Sequence, residues 1–89
     1  MRSFPLTISQ VDGNAFDGEA VRLSLRGAEG DLAIMADHVP LVTAVQPGEC
    51  RVLLPDETVR HARVNGGLLA VTPEKTIFLA DGFVWAEEA

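Results

Sequence analysis

The 89 residues include one cysteine, Cys50, so no internal disulfide can form and no thiolate cluster is available for zinc. No apolar run approaches the roughly 18 residues that a membrane-spanning helix needs, so direct insertion into a membrane is not expected. No stretch repeats apolar residues at i, i+3, i+4 and i+7, so no helix of useful length is predicted. The opening "MRSFPLTIS" has neither a long apolar core followed by a cleavage site nor the composition of a transit peptide. A soluble, cytosolic protein is the expectation. Positive charge is also scarce: seven Lys and Arg stand against thirteen Asp and Glu, a net charge of -6. That balance argues against nucleic-acid backbones and anionic lipid as partners, since both would be repelled. The arginines form no run. Arg22, Arg26, Arg51, Arg60 and Arg63 fall in separate segments, as on solvated strand faces.

What is present reads as β structure. The length suits one small domain spanning 1–89, with no repeat, linker or low-complexity segment. Turn signals arrive every eight to twelve residues. "FPLTISQV" alternates Phe4, Leu6 and Ile8 with Pro5, Thr7 and Ser9. "AVRLSLRG" sets Val21, Leu23 and Leu25 on one face and Arg22, Ser24 and Arg26 on the other, a strand with one packed and one wet side. "DGN" at 12–14 is a turn, and Gly18 punctuates the chain soon after. "DLAIM" and "LVTAV" flank Pro40. "CRVLL" and "TVRHARV" flank Pro55, Asp56 and Glu57 as a hairpin, and "GGLLAVT" and "KTIFLA" flank Pro73 and Glu74 as a second. Many short strands with close turns imply an all-β fold, a β-sandwich of two small sheets.

Catalytic signals are thin. Asp37 and His38 are neighbours, but adjacent side chains on an extended strand point to opposite faces. The other histidine, His61, lies mid-strand among arginines, and nothing has metal-ligand spacing. His38 is better read as bonding the backbone around the Pro40 turn, or facing a partner. Cys50 alternates with Arg51, which puts it inward with Val52 and Leu54 as a small hydrophobe rather than a nucleophile. Neither "GAEG" nor "NGG" leads into a helix, so their glycines serve turns or close backbone approach rather than phosphate binding. No cofactor is expected. The alternative to a binding role is a small ligand- or metal-binding β protein using Asp37 and His38. Against it, "MADHVPLVTAV" is too apolar for an idle loop and suggests a protein interface.

Several strings then carry a resemblance. "FDG" at 16–18, "GAEGDLAIMADHVPLVTAVQPGE" at 27–49, "NGGLLAV" at 65–71 and "TIFLAD" at 76–81 are similar, in order and spacing, to the epsilon subunit of F-type ATP synthases. The pattern G-x-x-G-x-x-x-x-x-x-x-H-x-P-L-x-T-x-x-x-P-G runs from Gly27 to Gly48. The resemblance implies a sandwich of about ten short strands in a non-catalytic subunit of the central stalk. It implies docking on the gamma subunit and on the membrane rotor ring, at the cytoplasmic face of a bacterial inner membrane, so that ion flow couples to ATP synthesis. Carried over by position, His38, Val39, Pro40, Leu41, Val42 and Thr43 would face gamma. Glu29 and Asp31 would face the ring loops, with Gln10 near that end. Most members continue into a C-terminal helical hairpin, whereas this sequence stops at "WAEEA"; the regulatory roles of that hairpin are not carried over.

Overall fold

The structure, a computed structural model, describes residues 2–86. Its strands in chain order are β1 (Phe4–Gln10), β2 (Gly13–Ala20), β3 (Arg22–Gly27), β4 (Gly30–Met35) and β5 (Leu41–Val45). They continue with β6 (Gly48–Leu53), β7 (Val59–Val64), β8 (Gly66–Val71), β9 (Thr76–Asp81) and β10 (Val84–Trp85). There is no α-helix among the described residues. The all-β expectation is met.

Hydrogen bonding follows one path, β10-β7-β6-β3-β5-β8-β9-β1-β2, with β4 attached to β3. The path folds over at one point, because β3 and β5 pair only through Gly27 and Val45. Beside that pair the Gln46 N–H donates to the Arg26 carbonyl at 2.8 Å, and Pro47 redirects the chain into β6. The result is two layers, β4-β3-β6-β7-β10 and β5-β8-β9-β1-β2. All pairings are antiparallel except β1 with β9.

Alternation along the strands sends one set of side chains between the layers. Leu6 and Ile8 of β1, Leu23 of β3, Ile34 of β4, Val52 of β6, Leu69 of β8 and Phe78 of β9 are fully enclosed there in a single cluster. Burying each such side chain stabilises the fold by roughly 1.5–3 kcal/mol. Cys50 lies in the same cluster beside Val52, as its alternation with Arg51 implies, while Leu54 packs against the cluster half-buried.

Two features depart from the sequence expectation. Gly18 does not interrupt the chain: β2 runs unbroken from Gly13 to Ala20, opposite the whole of β1. Ladder bonds to β1 override the poor strand propensity of Gly, Asn and Asp there. No strand is assigned to "FVWAEEA" from the sequence, yet Val84 and Trp85 pair with Arg63 and Ala62; residues 87–89 lie outside the described residues. Trp85 closes one seam between the layers. Its indole N–H donates to the Ala15 carbonyl at 3.2 Å, its ring meets Phe83 edge-on at 4.8 Å, and the Arg60 guanidinium lies 3.7 Å from the ring centroid. At the opposite seam, Leu32 of β4 and Leu41 of β5 pack against the core.

The "NGG" glycines serve close backbone approach. A side-chain carbon at Gly67 would strike the Leu79 carbonyl and sit 2.8 Å from a Phe78 ring carbon. Only glycine lets β8 lie this close to β9.

Candidate protein-docking interface

The outward side of the second layer is apolar at its centre. Strand register lines up Val42, Ala70 and Ile77 across β5, β8 and β9, and beside them Ala44, Leu68 and Leu79. All six point away from the core. Val42 is 70% exposed, Leu79 51% and Leu68 44%. Thr7, Ser9, Asp17 and Asn14 extend the same two rows onto β1 and β2 as a polar margin. An apolar centre with a polar rim is the anatomy of a protein interface.

The expected segment from His38 to Thr43 does not present itself as one surface. His38 is half-buried and its ring Nδ1 lies 2.7 Å from the Val39 carbonyl. A carbonyl can only accept, so Nδ1 carries the proton. The expected backbone bond at the Pro40 turn is there. Val39 and Pro40 are exposed, and Val42 joins the apolar block. Leu41 turns inward against the core, and Thr43 is half-buried opposite Leu69, with its hydroxyl 3.3 Å from the Ala44 carbonyl. Period-2 alternation divides the string between interface and interior.

The second set of residues shares one end of the molecule. Gly27, Val45, Gly67 and Ala80 are successive partners across four strands, and Leu79 pairs with Ser9 of β1. The β3–β4 hairpin with Glu29 and Asp31 therefore lies at the same end as Gln10. Asp12 and Asp81 join them there. Glu29 is exposed at the hairpin tip, Gln10 is half-buried, and Asp31 is exposed with an oxygen 3.7 Å from Arg26. Val11, fully exposed, sits at the adjoining β1–β2 turn.

The residues weighed for chemistry are engaged elsewhere. Asp37 adopts a left-handed backbone (φ 68°), which Asp tolerates, and its carboxylate pairs with the Arg2 guanidinium. His61 Nδ1 lies 2.8 Å from Glu49. The Cys50 thiol is pushed up to about 12, chiefly by burial and then by the charge of Glu49, so it is protonated near neutrality. Among the described residues no three His, Cys, Asp or Glu side chains gather closely enough to hold a metal ion. No helix of the described residues is long and apolar enough to cross a membrane.

Residues 3–86 match the family described as ATP synthase, Delta/Epsilon chain, beta-sandwich domain. The chain belongs to that family. Its relatives include the sodium-ion-specific ATP synthase epsilon chain of Acetobacterium woodii, 37% identical over 86 residues. That alignment takes in 97% of this chain and 65% of the relative. The ATP synthase epsilon chain of Acinetobacter baumannii is 37% identical over 87 residues, covering 98% of this chain and 63% of that one. The chain thus spans just under two thirds of these relatives. Among solved structures, a chain of the Euglena gracilis mitochondrial ATP synthase (OSCP, F1 and c-ring) superposes with a TM-score of 0.90 at 20% identity, over 98% of this chain and 56% of that one. A chain from the central stalk and c-ring of the Tetrahymena thermophila enzyme gives a TM-score of 0.76 at 11% identity, over 93% and 66%. At those identities the likeness establishes the shared sandwich of the family.

Two features carry no local signal in the sequence. The six-residue apolar block joins β5 to the β8–β9 hairpin, which follows much later in the chain, so no single local pattern announces it. Only strand pairing does. The aromatic seam at Trp85 likewise joins residues about seventy positions apart.

Proposed function

We propose that this chain is a non-catalytic central-stalk subunit of an F-type ATP synthase, seated on gamma and on the membrane rotor ring at the cytoplasmic face of a bacterial membrane. The observation that carries the reading is the apolar block of Val42, Ala44, Leu68, Ala70, Ile77 and Leu79, facing outward on a domain of this family. A patch of that kind on a small domain calls for a covering partner. In this reading gamma covers the block, with Val39 and Pro40 at its margin. The end bearing Glu29, Asp31 and Gln10 meets the ring loops, where its carboxylates suit basic and polar groups. The subunit thereby helps couple ion flow to ATP synthesis without performing the chemistry.

The test is co-purification of the chain with its cognate gamma subunit and ring. The double variant Val42→Asp/Leu79→Asp puts two charges into the block and is expected to weaken gamma binding about 100-fold or more. Its fold should persist, since both side chains are exposed. Binding unchanged in a folded double variant would sink the reading. Glu29→Lys/Asp31→Lys tests the other contact and should lower retention of the ring while leaving gamma bound.

A further inference from the structure

The fold gathers arginines that the sequence scatters. On the outward side of the first layer, Arg22 and Arg26 of β3, Arg51 of β6 and Arg63 of β7 occupy alternate positions and are all exposed. Two carboxylates, Glu49 and Asp31, share the strands of that face. Four arginines against two carboxylates leave an excess of positive charge on a chain whose total is -6. The strands of the other layer contain no Lys or Arg. The two outer faces are therefore chemically opposite.

Register sets the spacing. Ser24 pairs with Arg51, and Arg22 and Arg26 lie two residues to either side of Ser24. Strand geometry then puts Arg51 about 8 Å from each of them at the backbone. These side chains line a surface cleft of about 450 Å³ with Ser24, Asp31 and Glu49. Its own carboxylates use little of the available bonding. Arg26 reaches Asp31 at 3.7 Å and Arg51 reaches Glu49 at 3.8 Å, while Glu49 makes its close contact, 2.8 Å, with His61. Each guanidinium offers five N–H donors in a planar fork suited to a carboxylate. Arg22 and Arg63 have no carboxylate partner among the described residues.

We propose that this face is a second docking surface, for an acidic segment of a partner protein, independent of the apolar face on the other layer. The arginine stems are spread over three strands rather than converging on one point. Arg22 and Arg26 lie four positions apart on β3, roughly 13 Å at the backbone, a row longer than one phosphate group spans. A peptide bearing successive carboxylates can engage Arg22, Arg51 and Arg26 together, which a flat, wide array favours.

The experiment is an NMR titration of the whole 89-residue chain with hexaglutamate peptide at physiological salt, and separately with inorganic triphosphate. Expected are saturable hexaglutamate shifts confined to outward positions of β3, β4, β6 and β7. Affinity should fall at least 10-fold in Arg22→Glu/Arg51→Glu and stay within 2-fold in the control Lys75→Glu. Both variants change exposed side chains, and retained signal dispersion confirms their fold. No saturable shift, shifts elsewhere, an equal loss in the control, or tighter binding of triphosphate than of hexaglutamate overturns the proposal.

Discussion

Leu41 and Val42 are adjacent and similar in chemistry, yet the fold gives them unrelated work. Leu41 packs on the core and Val42 stands 70% exposed. Leu41→Asp should destabilise the domain by roughly 2–4 kcal/mol, read as a lower thermal midpoint, because a charge replaces packed hydrocarbon. Val42→Asp should leave the midpoint nearly unchanged. Cys50 follows the same logic of enclosure. With its thiol pushed up to about 12, it should resist a disulfide reagent at pH 8 in the native state and react at once in denaturant. Its ionisation is harder in the folded state than in the unfolded one, so its contribution to stability holds below 9.0 and declines as pH rises past that value. Asp56 runs the other way. The Thr58 N–H donates to its carboxylate at 2.9 Å and holds its carboxyl below the usual 3.8. The turn is therefore favoured above 3.8 and weakens as acid protonates the group, so Asp56→Asn should flatten the acid limb of the stability curve.

Strands with one dry and one wet face were legible because alternation is itself the signal. β3 is the clear case: Leu23 and Leu25 are buried while Arg22 and Arg26 are exposed. β2 was not legible, for its glycines, asparagine and acids are residues a strand usually excludes. It is an edge strand, and there Asp17 and Glu19 guard an open row of backbone groups against foreign pairing. The apolar run of β8 marks it as a strand, but the need for its glycines is visible only once β9 is alongside. Gly67→Ala should force the two strands apart and cost several kcal/mol, with loss of amide protection in β8 and β9 before the rest. For the string from His38 to Thr43, the sequence alone does not say which members face outward. Its division between inside and outside depends on which face of β5 the core occupies.

At the scale of the whole molecule, the sequence showed scattered arginines and apolar residues, and pairing sorted them onto opposite faces. That sorting is invisible to any local window, since each face joins a hairpin (β6–β7 or β8–β9) to a strand from a much earlier segment (β3 or β5). The same distances govern folding. Parallel pairing of β1 with β9 and the seam between Ala15 and Trp85 both join the two ends of the chain. Refolding should therefore fall in the millisecond-to-second range, followed by stopped-flow fluorescence of the lone tryptophan, Trp85. Trp85→Ala should cost roughly 3–5 kcal/mol, since the seam loses its ring, its hydrogen bond and its contact with Arg60 together.

The Gly27–Val45 pair has a mechanical meaning. Each layer is stiff within its own plane because ladders of hydrogen bonds tie strand to strand. Between the planes such ties are few: the Gly27–Val45 pair, the Gln46 N–H to the Arg26 carbonyl beside the bend at Pro47, and the Trp85 indole N–H to the Ala15 carbonyl at the far seam. A sideways load on the apolar face reaches the arginine face through interlocked side chains, with Phe78, Leu69 and Ile8 meshed against Leu23 and Val52. The resistance of this domain to shear is set by how well its core fits together.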